Sequence, residues 1–116
     1  MAYTVSFIGT GSMGGALAQA ACQRLSPGEI LLSNRTAAKA EALAARLGCA
    51  IGSTAQAAAE GRYIFLGVKP QRMGGLLAEI APTLAARSDR FILVTMAAGL
   101  TMAQVSAMAG GDWPVI

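Results

Sequence analysis

The chain has 116 residues, 54% hydrophobic and only 5% aromatic, so its length and composition predict one domain with a core of small aliphatic side chains. Nine basic and six acidic residues give a net charge of +3 and are spread over both halves of the chain. This excludes the basic tail or stripe that duplex nucleic acid requires. Histidine is absent and only two cysteines are present, which predicts no metal site and two reduced, buried thiols.

The hydrophobic residues are interrupted by glycine before any run is long enough to span a bilayer, and the N-terminus lacks the charged region of a signal peptide. We therefore expect a soluble, cytoplasmic protein without a membrane partner. Since histidine is absent, any proton transfer must use lysine, tyrosine, a carboxylate, a hydroxyl group or water.

The first predicted element is a short buried strand at 5–8, followed by G-x-G-x-x-G at 9–14 and a helix-forming run. A strand, a glycine turn and a helix in this order are typical of the start of a dinucleotide-binding βαβ unit. Gly9 permits a sharp turn off the strand, Gly11 lets the backbone approach a pyrophosphate, and Gly14 lets the helix pack closely on the sheet. The unpaired N–H groups of the first helical turn lie at the positive end of the helix dipole, where they bind anions.

The rest of the chain alternates between helices and strands. Periodicity, caps and breakers predict helices at about 13–25, 37–47, 53–61, 71–84 and from 101, and strands at 29–33, 49–51, 63–68, 91–95 and 113–116. The apolar run at 63–68 does not alternate, which predicts a central strand buried on both faces. The fold class is therefore α/β, a doubly wound parallel sheet of the Rossmann-like NAD(P)-binding kind, with strand order 3-2-1-4-5 and a sixth strand at the edge.

The residues that follow the second strand indicate which cofactor binds. A site for NAD carries an acid there, whereas this chain has Asn34, Arg35 and Thr36, with Lys39 one helical turn further on. Arg35 offers a planar fork to a 2′-phosphate, and one charge-assisted hydrogen bond of about 1.5–3 kcal/mol favours NADP over NAD roughly tenfold to a hundredfold. The alternative is that Arg35 and Lys39 are simply solvated at the start of a helix.

Two further strand ends are candidates for the nicotinamide half of the cofactor. Pro70 is expected to hold the backbone beside the nicotinamide ribose, and Lys69 to reach the cofactor or the substrate. Alternatively, Lys69 is a surface residue before a helix. Residues 97–99 are small enough for a nicotinamide ring to lie against them.

Together these segments resemble pyrroline-5-carboxylate reductase, the last enzyme of proline biosynthesis. The matching segments are F-I-G-T-G-S-M-G at 7–14, S-N-R-T at 33–36, V-K-P-Q at 68–71 and A-A-G-L at 97–100. The resemblance implies NADPH as the cofactor and 1-pyrroline-5-carboxylate as the small-molecule substrate, which a hydride reduces to L-proline.

The resemblance also implies the cofactor-binding residues, which fall into four groups. These are Ile8, Gly9, Thr10, Gly11, Ser12, Met13 and Gly14 at the pyrophosphate; Asn34, Arg35 and Thr36 at the 2′-phosphate; Thr54 near the adenosine ribose, where the family often has Asn; and Val68, Lys69, Pro70 and Ala98 at the nicotinamide. No catalytic residue is identified.

Members of that family continue into a helical domain that dimerises and supplies the substrate site, so residues 1–116 resemble the cofactor-binding half of such an enzyme. We expect the chain to show little turnover, and to self-associate through an apolar patch around Met102, Val105 and Trp113. Two alternatives stay open. One is a 3-hydroxyacid-dehydrogenase-like domain, a class that typically has an acid after strand two, and the other is a non-catalytic NADP-binding module.

Overall fold

The computed structural model of the chain describes residues 3–9, 12–33, 37–95, 104, 105, 107 and 114–116. Within these residues, parallel strands form one sheet in the order β3-β2-β1-β4-β5. The strands are β1 (Tyr3–Ile8), β2 (Ile30–Ser33), β3 (Ala50–Ile51), β4 (Gly61–Leu66) and β5 (Ile92–Thr95). The helices are α1 (Ser12–Ala21), α2 (Ala37–Leu47), α3 (Thr54–Glu60) and α4 (Pro70–Ala85), with a 3₁₀ turn at Pro27–Glu29. The predicted fold class and strand order are confirmed.

The sheet lies between two helical layers. Successive side chains of each strand point to opposite faces, so each strand contributes to both layers of the core. One face carries Phe7 of β1 into a cluster with residues of α1 and α2, and the other carries Ile8 into a cluster with residues of α3 and α4. The apolar residues of the helix predicted at 71–84 recur at helical spacing, and in α4 Met73, Leu77, Ile80 and Leu84 are buried while Leu76 is partly buried. No helix among the described residues is long and apolar enough to cross a membrane.

Some predicted bounds are wrong. Helix α1 ends at Ala21 rather than near residue 25, and its last turn tightens through a bond from the Arg24 N–H to the Ala21 carbonyl (3.0 Å). Residues 22–24 form a turn instead, in which the Gln23 N–H likewise donates to the Ala20 carbonyl (3.2 Å), and Pro27 then confines Ser26 to extended backbone (ψ 142°). Strand β4 spans Gly61–Leu66 instead of 63–68, since Gly61 already pairs with Tyr3 of β1.

The prediction that the fourth strand is buried on both faces is also wrong. Ile64 and Leu66 are fully buried, whereas Tyr63 and Phe65 on the opposite face are only partly covered. These two side chains pack at the margin of the cluster beneath α1 and α2. The stacked rings of Phe7 and Phe65, with centroids 4.9 Å apart, link that margin to the centre of the sheet.

The expected C-terminal elements are described only in part. Val115 forms a parallel bridge to Leu93 of β5, in agreement with a sixth strand at the edge. Val105 is fully buried in the core beside α4, so its expected place in an exposed apolar patch is wrong. Met102 and Trp113, the other members of that patch, lie outside the described residues.

The end of β1 meets the end of β4 through glycine backbone. Gly9 has a φ of +92°, and a Cβ at this position would lie 2.5 Å from the Gly67 carbonyl oxygen. The Gly67 N–H in turn donates to the Ile8 carbonyl (2.7 Å), and the Gly9 N–H donates to the Ser33 carbonyl (2.9 Å). The turn off β1 therefore requires glycine both for its conformation and for lack of space.

Arg87 joins the far end of α4 to the junction of α3 and β4. Its side chain is buried (4% exposed), and its guanidinium donates to the carbonyls of Ala58 (2.9 Å) and Gly61 (2.7 Å). It also makes a bidentate ion pair with the Asp89 carboxylate, with hydrogen bonds of 2.8 and 2.7 Å. It also lies 4.7 Å from the centre of the Phe91 ring. The hydrogen bonds from Arg87 lower the pKa of Asp89 to about 2.

We predict that Gly9→Ala lowers the free energy of unfolding by about 2–4 kcal/mol, because the new side chain is strained in φ and meets rigid backbone. The matched control is Gly75→Ala on the exposed face of α4, where an added Cβ has no neighbour within 4 Å. It should raise stability by up to about 1 kcal/mol through helix propensity. Urea denaturation followed by circular dichroism measures both, and a Gly9→Ala variant as stable as the parent would contradict the assignment.

We predict that Arg87→Met lowers the free energy of unfolding by about 2–4 kcal/mol, because it leaves the Ala58 and Gly61 carbonyls without their donor. Asp89→Asn is the control: it removes the charge partner but leaves both of those bonds, so its effect should be clearly smaller.

The effect of Asp89→Asn on the free energy of unfolding is expected to depend on pH. Because the folded-state pKa of Asp89 lies at about 2, below its ordinary value of 3.8, the stability that its ionised form contributes is present above pH 3.8 and is lost as the pH falls through 2. The difference in unfolding free energy between the parent and Asp89→Asn should therefore shrink over that interval. A difference that is constant down to pH 2 would show that the ion pair between Arg87 and Asp89 does not contribute to stability.

Candidate cofactor-binding site

The carboxyl ends of the five strands lie along one edge of the sheet, here called the cofactor edge. It is formed where the strands end at Ile8, Ser33, Ile51, Leu66 and Thr95. Because all the strands are parallel, every segment that follows a strand begins at this edge.

The predicted site residues are placed as follows. Those that the structure describes lie at the cofactor edge: Ile8, Gly9, Ser12, Met13, Gly14, Thr54, Val68, Lys69 and Pro70. The remainder lie outside the described residues: Thr10, Gly11, Asn34, Arg35, Thr36 and Ala98.

The structure brings Ile8, Gly9 and Val68 together. A Cβ on Gly9 would lie 3.2 Å from Cγ1 of Val68, so the turn after β1 and the turn after β4 are in contact. Strands one and four are the pair at which the chain changes direction across the sheet, and ligands of open α/β sheets bind at this position. The predicted pyrophosphate and nicotinamide segments therefore adjoin each other.

Helix α1 begins at this junction. Ser12, Met13 and Gly14 are its first three residues, so their N–H groups have no acceptor within the helix. These groups are at the positive end of the helix dipole, a position that favours an anionic ligand.

The end of β2 is fixed to the same junction. Ser33 is buried, and its hydroxyl donates to the Phe7 carbonyl (3.0 Å) while its own carbonyl accepts from Gly9 (2.9 Å). The segment predicted to hold the 2′-phosphate, 34–36, follows Ser33 directly. Its point of departure therefore lies beside the glycine turn.

Thr54 is the first residue of α3, the helix that follows β3. The preceding residue, Ser53, caps this helix by accepting a hydrogen bond from the Gln56 N–H (3.0 Å). The Gly52 N–H donates to the Leu32 carbonyl (3.0 Å), which holds the turn against β2. Thr54 is thereby fixed at the cofactor edge.

Lys69 is exposed and occupies the N-cap of α4, with Pro70 as the first helical residue. Its side chain makes no capping hydrogen bond, and its carbonyl accepts from the Arg72 N–H (2.9 Å). A lysine here adds positive charge to an end of the helix that is already positive. Such a placement is unfavourable for the helix alone but favourable for an anionic ligand.

Charge is distributed unequally between the two edges of the sheet. In the described helices α1–α4, the first turns contain no acidic residue, although acids stabilise that position. Glu29, Glu60 and Asp89 instead precede strands at the opposite edge. The electrostatics of the cofactor edge therefore fit a ligand with several phosphate groups.

One feature of the structure was not predicted from the sequence. A cavity of about 410 Å³ lies at the edge opposite the cofactor edge, where β4 and β5 begin. Its lining residues are Arg62, Tyr63, Asp89, Arg90, Phe91, Ile92 and Pro114. These residues come from three separate stretches of the chain, which the pairing of β4 with β5 and the bridge from Leu93 to Val115 bring together.

Comparison with known proteins agrees with this geometry. Residues 4–99 match the family described as NADP oxidoreductase coenzyme F420-dependent. A pyrroline-5-carboxylate reductase of Corynebacterium melassecola is 33% identical over 115 residues, which cover 97% of this chain and 43% of that enzyme. The resemblance predicted from the motifs is thus confirmed.

Solved structures show the same fold. A pyrroline-5-carboxylate reductase from Coxiella burnetii superposes with a TM-score of 0.87 at 20% identity, covering 99% of this chain and 43% of that one. An imine reductase from Myxococcus stipitatus in complex with NADP⁺ gives a TM-score of 0.73 at 28% identity, covering 95% of this chain and 39% of that one. The chain spans less than half the length of each of these relatives. From the match over residues 4–99, the chain belongs to the NADP oxidoreductase coenzyme F420-dependent family.

Proposed function

We propose that this chain is the NADPH-binding domain of a pyrroline-5-carboxylate reductase, an oxidoreductase that acts on a C=N bond. The observation that carries the proposal is the contact between the turns after β1 and β4, at an edge whose helices begin without acidic residues. The Corynebacterium melassecola enzyme, related over 97% of the chain, supports the choice of substrate.

The cofactor is proposed to lie along the cofactor edge, in contact with all of the predicted site residues. Its pyrophosphate is assigned to residues 8–14, where the first N–H groups of α1 and the turn at Gly9 meet. The 2′-phosphate is assigned to Asn34, Arg35 and Thr36, and the adenosine ribose to Thr54. The nicotinamide half is assigned to Val68, Lys69, Pro70 and Ala98.

NADPH, when bound, supplies the hydride that reduces the imine carbon of 1-pyrroline-5-carboxylate to give L-proline. The task of this chain is orientation and electrostatics. Ile8 is buried in the core at the end of β1, and the exposed ammonium group of Lys69 is available to hold an anionic group of the cofactor or the substrate. Holding reactants in near-attack geometry contributes about 7–11 kcal/mol to lowering a barrier.

We further propose that residues 1–116 form the cofactor domain, and that a helical domain like that of the family completes the substrate site and assembles into a homo-oligomer. The described residues of the cofactor edge all belong to the cofactor domain, so in this proposal the helical domain provides the other side of the substrate site. A cytoplasmic location and a small-molecule substrate belong to the same proposal.

Reduction of another cyclic or acyclic imine is the second candidate, favoured by the structural relative from Myxococcus stipitatus, which is 28% identical. It requires the same cofactor and the same bond type. A panel of imines assayed beside 1-pyrroline-5-carboxylate separates the two.

We predict that the chain binds NADPH at least tenfold more tightly than NADH, because Asn34, Arg35 and Thr36 stand where an acid would repel the 2′-phosphate. Arg35→Ala should weaken NADPH binding about tenfold to a hundredfold and leave NADH binding unchanged. Isothermal titration calorimetry measures both.

Arg46→Ala is the matched control for that experiment. It removes an equal charge from the last turn of α2, away from the cofactor edge, whereas Arg35 precedes that helix in the sequence. Equal affinities for the two nucleotides in the parent, or equal effects of the two variants, would refute the 2′-phosphate assignment.

We also predict that the 116-residue chain turns over 1-pyrroline-5-carboxylate with a kcat/KM about a thousandfold or more below that of the full-length Corynebacterium melassecola enzyme, because substrate positioning is incomplete. The assay follows NADPH absorbance under saturating cofactor, after binding has been shown by calorimetry. Comparable turnover would mean that the catalytic groups lie within this chain.

A further inference from the structure

The thiols of Cys22 and Cys49 lie next to each other although the residues are 27 positions apart. Their Sγ atoms are 3.4 Å apart. Cys22 lies in the turn after α1, and Cys49 lies between Gly48 and the start of β3. Both are at the edge of the sheet opposite the cofactor edge, so the proposed function makes no use of them.

The surroundings favour joining the two sulfur atoms. A disulfide bond is about 2.05 Å long, so the sulfur atoms must approach by about 1.4 Å. Neither cysteine is inside a regular helix or strand, and Gly48, with a φ of +78°, adjoins one of them. The local backbone can therefore move without breaking the pairing of the sheet.

The two thiols differ in accessibility. Cys22 is partly exposed, whereas Cys49 is 8% exposed and packs in the apolar cluster with Val5 and Ala44. Burial, together with the neighbouring Cys22, raises the pKa of the Cys49 thiol to about 12. A reagent in solution therefore meets Cys22 first.

We propose that Cys22 and Cys49 are a reversible dithiol–disulfide pair, which low-molecular-weight disulfides such as glutathione disulfide oxidise. The Cys22 thiolate attacks one sulfur of glutathione disulfide, whose S–S bond breaks and releases one glutathione thiolate. Cys49 then transfers its proton to solvent and its sulfur attacks Sγ of Cys22, which expels the second glutathione. In total, two protein thiols are oxidised and one disulfide is reduced to two thiols.

The disulfide would close a loop that contains β2, α2 and the segment 34–36. Constraining this part of the unfolded chain stabilises the folded state. Oxidation of the pair thus stabilises the first half of the sheet. It also prevents Cys22 from remaining as a mixed disulfide with glutathione.

The test uses the reduced chain, incubated with glutathione disulfide and analysed by intact mass and by non-reducing tryptic mapping. We expect the mass to fall by two hydrogen atoms and the peptides 1–24 and 47–62 to be joined, with dithiothreitol reversing both changes. The melting temperature should rise by about 5–15 °C on oxidation.

Two variants show the order of the steps. Cys49→Ser should accumulate glutathione on Cys22, because the resolving thiol is missing, whereas Cys22→Ser should stay unmodified at Cys49. A parent chain that keeps a glutathione adduct, forms intermolecular disulfides, or stays reduced at glutathione ratios that oxidise free cysteine would overturn the proposal. The parent measurements decide the question even where a variant fails to fold.

Discussion

The close approach of Gly9 to Gly67 is the constraint on which the rest of the structure depends. It allows β1 and β4 to end side by side, and the Gly67 N–H then closes onto the Ile8 carbonyl. Helices α1 and α4 leave from these two ends toward opposite faces of the sheet, so a crevice opens between their first turns. A larger residue at position 9 would separate the strands and change the shape of that crevice. Fold and ligand site therefore share a single steric requirement.

The distribution of acidic residues favours an anionic ligand at the same crevice. Four helices begin at one edge without an acid in their first turns, whereas three of the acids lie where strands begin. This arrangement lowers the stability of the folded chain by itself, because an acidic residue at each helix start would be stabilising. It becomes favourable once a polyanionic ligand is bound, since the ligand then provides the missing negative charge. Lys69 at the N-cap of α4 is the clearest example of a residue whose position suits binding better than stability.

The strands, α2 and α4 could be predicted because their signals are local: apolar runs for the strands, a five-residue apolar stripe for α4 and Gly48 after α2. The strand order then follows from the alternation of strands and helices with right-handed connections. The bounds of β4 could not, because they depend on which residues pair across the sheet. The end of α1 could not, because the local breaker, Pro27, stands several residues beyond it. The candidate site residues come from motifs that follow the strands, and their roles in binding stay predictions. The proximity of Cys22 and Cys49 and the two carbonyl partners of Arg87 could not be predicted, because each contact joins segments more than 20 residues apart.

Helix α3 ends at Glu60 and β4 begins at the next residue, so no loop connects them. Arg87 binds carbonyls on both sides of this junction. Since the side chains of a strand alternate between faces, inserting or deleting one residue here would move Ile64 and Leu66 from the cluster beneath α3 and α4 to the opposite face, and would put Tyr63 and Phe65 in their place. We therefore expect relatives to keep the length of the chain at this point, and gaps in their alignments to fall in the turns before β2 and β5 instead. The junction is a natural anchor for placing more distant sequences in register.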